Sequence, residues 1–363
     1  STWQSFREKV DTHLAQMPPE TRDFDLALML APKLPRLWVA RAKRYTQLQR
    51  WAEAERDFAE ALKLDKNDAR TWLASGRYWV QRGKIGKARQ AYDRAFGLDR
   101  RAALRKEILQ DLQDNEALFL DLLKARPRNV ALWRARGSQL CDAERWANAV
   151  AVWQRRIELE PPHPALLYQL ALLQVAAGDT NGYRDTCAAL TARYAQDETS
   201  TASELTAWAC IRAPNALDDY DAARELAQRW RDRQPANASQ RTTFGAALMR
   251  AGSVEQAILE LEIGATLAAG DDAQRTSPPA YAWYLLAIAN SQLGQHDAAT
   301  KWHDKALQWT RKQIESESPS VQSWNRRLTL KLFEKESAAL LERAAMWSPS
   351  EADRVTVTSS RGN

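Results

Sequence analysis

The sequence predicts an all-α protein, a solenoid of stacked helical hairpins closed by a C-terminal capping helix. Three observations predict it. A pattern of small and large apolar residues recurs with a period of 34. Glycine is scarce, at 13 of 363 residues, whereas Ala, Leu, Arg, Glu and Gln abound, and those side chains lose little rotamer freedom in a helix. No stretch reads as a convincing strand apart from VTV near the C-terminus, which is too short to matter.

The divergent N-terminal pair comes first, at residues 1–34. Its helices are expected over Trp3–Met17 and Glu20–Ala31, broken by Pro18-Pro19. A first repeat array is expected over 35–200. In its opening unit Trp38 stands at position 4, Tyr45 at 11, Ala54 at 20, Phe58 at 24 and Ala61 at 27. The next unit repeats the scheme with Trp72, Gly76, Trp79, Gly83, Ala88, Tyr92 and Ala95. A third has Trp133, Gly137, Leu140, Ala149 and Trp153. A degenerate unit follows, keeping Leu167, Ala171 and Gly178 but placing Tyr183 where a small residue belongs. Residues 101–128 are apolar at helical spacing but too short for a unit, so they read as a contracted pair.

The second array is expected over 201–312. It opens with a degenerate pair, TASELTAWACIRAP and YDAARELAQRWRDRQP, each helix ended by proline. A unit with Gly245, Leu248, Gly252 and Ala257 follows, then a polar loop at 269–279. The last unit has Trp283, Ala287, Gly294, Ala299 and Ala306. The capping helix is expected within 313–347, with Trp324, Leu328, Leu332 and Leu340 as its apolar side. A disordered tail is expected over 348–363.

The spacing has a physical cause. Positions 4, 8 and 11 share one face of a first helix, and 20, 24 and 27 share one face of a second. Small residues at 8 and 20 let the two helices approach, and large ones at 4, 11 and 24 fill the space around that contact. A glycine near 15 relaxes the turn. This pattern resembles the tetratricopeptide repeat, a helix–turn–helix unit of 34 residues that stacks because one hairpin cannot bury its own apolar face, and the resemblance implies a right-handed superhelical α-solenoid. A second resemblance covers 201–342, where ELTAWACIRAP, GAALMRAGSVEQAILELE and SWNRRLTLKLFEKESAALL are similar to repeat-rich C-terminal regions of bacterial eukaryotic-like Ser/Thr kinases and WD-repeat proteins. That resemblance implies an accessory or regulatory region attached to a kinase or propeller. The kinase motifs themselves do not occur here, so the resemblance assigns no activity to this chain.

Composition narrows the function. An apolar fraction of 45% with 27% charge belongs to a folded chain, not a disordered one. No run of about 18 apolar residues exists, so no membrane insertion is expected. The opening STWQSFREKV lacks a basic stretch leading into an apolar one, so no secretion signal is expected there, and the chain reads as part of something longer. Cys141, Cys187 and Cys210 are few, odd in number and far apart, which suits a reducing, cytoplasmic setting better than a disulfide framework. The net charge of +6 is uneven, with 31 basic against 22 acidic residues in 1–160 and 21 against 24 beyond. A basic first half suits an anionic partner.

No catalytic, metal or cofactor site is expected. His296 and His303 are seven apart, whereas metal pairs on a helix sit three or four apart. GKIGKA at 83–88 lacks the spacing of a phosphate loop. Trp38, Trp72, Trp133 and Trp283 at position 4, and Trp51 and Trp146 at position 17, read as packing residues.

The resemblance implies that positions 2, 5, 9 and 12 of each first helix line a concave groove. In the first three units those positions include Arg36, Lys43, Arg70, Arg77 and Arg134 and no acid. The later ones are neutral, with Tyr281 and Tyr284 among them. A basic groove would take an acidic or phosphorylated peptide or protein. The two-carboxylate clamp of chaperone-binding family members needs groove Asn residues that are missing here. Nucleic acid is the less expected partner, because the aromatics occupy core positions and leave no stacking surface. The expected role is a binding scaffold or adaptor, not an enzyme.

Overall fold

The computed structural model describes residues 4–5, 12, 18–98, 102–161, 163–196, 200–270, 277–315 and 323–347. Among them are eighteen helices and no strands. They are α1 (Arg22–Leu30), α2 (Pro35–Gln47), α3 (Trp51–Leu64), α4 (Ala69–Gln81), α5 (Ile85–Leu98), α6 (Ala102–Gln113), α7 (Glu116–Ala125), α8 (Val130–Asp142) and α9 (Trp146–Leu159). There follow α10 (Pro164–Ala177), α11 (Thr180–Tyr194), α12 (Ser200–Cys210), α13 (Asp221–Arg233), α14 (Ala238–Arg250), α15 (Val254–Leu267), α16 (Pro279–Gln292), α17 (His296–Glu315) and α18 (Trp324–Trp347). The fold of the described residues is all-α, with successive helices packed as hairpins. The expected helix over Trp3–Met17 and the expected tail at 348–363 lie largely or wholly outside the described residues.

Local chemistry starts the first helix of each hairpin in one of two ways. Pro35, Pro164 and Pro279 open α2, α10 and α16, where a missing N–H costs nothing. Asp68 instead caps α4 by accepting from the amides of Arg70 and Thr71, and Asn237 caps α14 through Ser239 and Gln240. Position 15 then turns the chain in the left-handed region in all six units. Gly83, Gly178, Gly252 and Gly294 have φ of 65° to 87°, and Gln49 and Glu144 reach 56° and 54° without glycine's freedom.

The hairpins close where position 8 meets position 24. A Cβ added to Gly76 would stand 2.8 Å from the Tyr92 ring, one on Gly137 2.4 Å from Trp153, and one on Gly245 2.7 Å from Leu261. Position-4 side chains have a task that periodicity does not reveal. The indoles of Trp38, Trp72 and Trp133 donate to the carbonyls of Pro32, Lys66 and Pro127, six residues upstream, at 2.8, 2.8 and 2.9 Å. In α14 the same position holds Arg241, whose Nε donates to Pro235 O at 2.7 Å. Each side chain ties its hairpin to the preceding loop.

The chain divides into two compact units, Ser1–Ala135 and Arg136–Asn363. The division falls inside α8, so residues 136–200, read from sequence as part of the first array, pack with the second unit. In the first unit one cluster gathers Ala42, Ala54, Phe58 and Tyr78, and another joins α4 and α5 to the contracted pair α6–α7 through Tyr92, Ile108, Leu118 and Leu122. Arg41 fastens α1 onto the first repeat, donating to Asp25 at 2.6 Å and to both oxygens of Asp57 at 2.7 and 2.8 Å.

In the second unit the expected C-terminal cap takes a different place. Residues 313–315 continue α17, and α18 does not sit across the end of the stack. It runs back along the inner side, packing on α16, α17 and α10. Trp324 meets Trp153 of α9 edge-on at 5.5 Å, and Phe333 meets Trp208 of α12 and Tyr281 of α16 at 6.1 Å each. The reason is that α18 carries no single apolar stripe. Leu330 and Phe333, outside the expected stripe, are as buried as Leu328, which suits a helix enclosed on most sides.

Candidate functional site

The first unit holds the basic face. On α2, Arg36 and Lys43 are seven residues apart, and on α4 so are Arg70 and Arg77, which is about 10 Å along each axis. The helices α2 and α4 are in contact. Arg36, Lys43 and Arg70 are exposed and have no ion pair among the described residues. Half-buried Val39 lies between Arg36 and Lys43, buried Leu73 lies between Arg70 and Arg77, and half-buried Val80 follows Arg77 at the next groove position. Arg134 is exposed on α8.

Arg77 differs from its neighbours. Its Nε donates to Asp111 Oδ2 at 2.7 Å and its Nη2 lies 3.5 Å from Glu107, both on α6. Asp111 also accepts the Tyr92 hydroxyl at 2.9 Å. The hydrogen bond to Asp111 holds the Arg77 guanidinium above its ordinary range, and burial, with Asp111 beside it, pushes the Tyr92 phenol up. This cation is therefore already compensated, although reading groove positions alone gave a face without acids. The two carboxylates come from the contracted pair, whose register the 34-residue period does not supply.

The neutral groove expected at Tyr281 and Tyr284 is not open. Tyr281 is 6% exposed and Tyr284 is fully buried. Phe333 of α18 covers the first, and the ring of His303 meets the second at 5.9 Å. His303 itself is held by Ser337 of α18, Nδ1 to Oγ 2.9 Å, as a packing residue would be. All the groove positions of α14 and α16 except Ser239 and Ser291 are buried.

In place of an open groove, the second unit has two buried arginines facing α18. Arg250 of α14 makes a two-pronged contact with Glu336, at 2.6 and 2.7 Å, and also donates to Ile211 O. Arg212, just after α12, is 1% exposed. Its Nη2 donates to the Tyr168 hydroxyl at 2.9 Å, and its guanidinium lies over Trp208 at 3.8 Å and Phe333 at 5.6 Å. Neither its Nε nor its Nη1 has a hydrogen-bond partner.

All three cysteines are buried thiols. Burial pushes the Cys141 thiol up to about 12. Cys187 and Cys210, distant in sequence, are brought together, and their mutual hydrogen bond and burial raise the Cys210 thiol. Among the described residues no three His, Cys, Asp or Glu side chains are grouped so as to hold a metal ion, and no helix is long and apolar enough to cross a membrane.

Comparison with known proteins agrees with this geometry. Tetratricopeptide repeat models match residues 35–68 and 280–313, which are the hairpins α2–α3 and α16–α17. Those two hairpins are similar to the tetratricopeptide repeat. No curated protein sequence matches it. Among solved structures it is similar to a tetratricopeptide repeat protein from Parabacteroides merdae, at 14% identity and a TM-score of 0.39, covering 82% of this chain and 98% of that one. The APC/C hetero-tetramer Cut9–Hcn1 is similar at 13% identity and 0.39, covering 89% and 80%. Yeast Tom70 is similar at 11% and 0.31, covering 97% of each chain.

Proposed function

We propose that the chain is a protein-interaction scaffold whose first unit captures an acidic or phosphorylated protein segment. The observation that carries this reading is the set of three exposed cations, Arg36, Lys43 and Arg70, on adjacent first helices and without an ion pair among the described residues. Guanidinium groups match carboxylate and phosphate oxygens in pairs. Arg77 acts differently in this scheme, aligning α6 against α4 through Asp111. The chain itself carries out no chemistry, and its buried thiols supply no accessible nucleophile.

The test uses an array of phosphorylated, Glu-rich and charge-neutral peptides, followed by titration calorimetry of the best binder. Arg36→Glu/Lys43→Glu/Arg70→Glu should abolish that binding with circular dichroism unchanged. Equal affinity for the neutral peptides, or for the triple variant, would remove the assignment.

A further inference from the structure

The inner side of the second unit raises a separate question. Two buried guanidinium groups face α18, and α18 brings one carboxylate. Glu336 compensates Arg250 completely, with two hydrogen bonds. Arg212 receives an aromatic ring instead, and among the described residues it has no carboxylate at all. Its position between Trp208 and Phe333 is a favourable one for a cation. Even so, two of its N–H-bearing nitrogens are buried without an acceptor, and a buried charge left short of partners weighs against the arrangement that buries it.

Of the other polar contacts of α18, buried Ser337 meets His303 Nδ1 at 2.9 Å, and two ion pairs lie at the periphery. Arg327 pairs with Asp142 at 3.1 Å and Lys331 pairs with Glu144, all four side chains being substantially exposed. Exposed pairs of this sort hold a helix weakly. The seat is thus well shaped for a helix yet electrostatically incomplete with the helix it holds.

We propose that the inner side of the second unit is a receptor for an amphipathic helix of a partner protein, with α18 as its exchangeable resident. The partner helix carries an aromatic residue and, three residues on, a glutamate, as Phe333 and Glu336 do. It also carries a second carboxylate one turn earlier, to meet Arg212. Such a helix keeps the aromatic and Arg250 contacts and supplies the acceptor that α18 lacks. This site is independent of the basic face of the first unit, and neither reading depends on the other.

Hydrogen exchange on the full chain tests the proposal directly. The α18 amides should exchange as a block at least tenfold faster than those of α14 and α16. Exchange of all three at one rate would mean that α18 is an inseparable part of the core, and would overturn the proposal. Arg212→Met removes the uncompensated charge while keeping an apolar body against Trp208. It should slow the α18 block at least tenfold. An unchanged block, or a lower unfolding temperature, would show that Arg212 is structural and overturn the argument.

Binding in trans gives the last arm. A fluorescein-labelled peptide of residues 323–347 should bind the Phe333→Ala/Glu336→Ala chain at least tenfold more tightly than the parent chain, whose seat is filled. The same peptide with Glu336→Ala should bind at least tenfold more weakly. Equal binding of both peptides would overturn the receptor assignment. A dimer in light scattering, with a second copy's α18 in the seat, would overturn the choice of a partner protein as occupant.

Discussion

Replacing Gly137 by alanine should destabilise the second unit, although alanine is the better helix former. The added Cβ would lie 2.4 Å from one carbon of the Trp153 ring and 2.9 Å from another. Ordinary contact begins near 3.4 Å, so ring and helix must part by about 1 Å. The ring is held on several sides. Its Nε1 donates to Gln169 at 3.1 Å, Arg156 lies over it at 5.0 Å, and Trp324 meets its edge at 5.5 Å. Overpacking of this kind costs about 1–3 kcal/mol, and a clash this close falls near the upper figure. Helix propensity offsets about 1 kcal/mol. The net loss is about 2 kcal/mol, or a melting temperature lower by about 4–8 °C for a unit of this size. Differential scanning calorimetry measures it, with Gly86→Ala as the control. Nothing lies within 4 Å of a Cβ at Gly86, inside α5, so that variant should gain about 0.5 kcal/mol. Trp153→Phe combined with Gly137→Ala should recover part of the loss, because the smaller ring makes room. If Gly137→Ala melts at or above the parent temperature, the close-approach account of position 8 is wrong.

Three further outcomes are expected. Gln49→Gly should stabilise the first unit by about 0.5–1 kcal/mol, since Gln49 turns at φ 56°, whereas Gly83→Ala at φ 65° should destabilise it despite open space around the site; urea melts separate the two. Trp72→Phe should cost about 1 kcal/mol by leaving Lys66 O without its 2.8 Å donor, read from the same melts. Burial raises the Glu204 carboxyl above its ordinary range, so the folded state disfavours its ionisation and loses stability as pH rises through that range. Glu204→Gln should therefore raise the melting temperature at pH 7 and leave it unchanged near pH 3, where the parent carboxyl is protonated in both states.

The repeats were legible because their determinants are local. A small residue at 8 and a large one at 24 belong to the same hairpin, so Gly76 with Tyr92 and Gly137 with Trp153 can be paired without knowing the fold. The turn at position 15 was half legible: glycine marks it in four units, but Gln49 and Glu144 adopt the same conformation with no compositional sign. The indole hydrogen bonds escaped notice because their acceptors are backbone carbonyls, which every residue has. Arg77 was misjudged because Asp111 lies on α6, outside the repeat register. The course of α18 was out of reach altogether. Its contacts with Arg250, Asp142 and Glu144 span 86, 185 and 187 residues of sequence, and no periodicity encodes partners so remote.

Those long separations also bear on how the second unit forms. A simple stack of hairpins can nucleate anywhere and add neighbours one at a time, and its ends can fray without disturbing the middle. A strut that joins α17 back to α8 and α9 removes that freedom. The loop it closes carries an entropic cost that is met only after the intervening hairpins are in place, so α18 docks late and the step is slow. Once docked, it couples hairpins that do not touch one another. Within this unit, loosening at one end is transmitted to the other only while α18 is docked, and once α18 has left its seat the hairpins peel as an ordinary stack does.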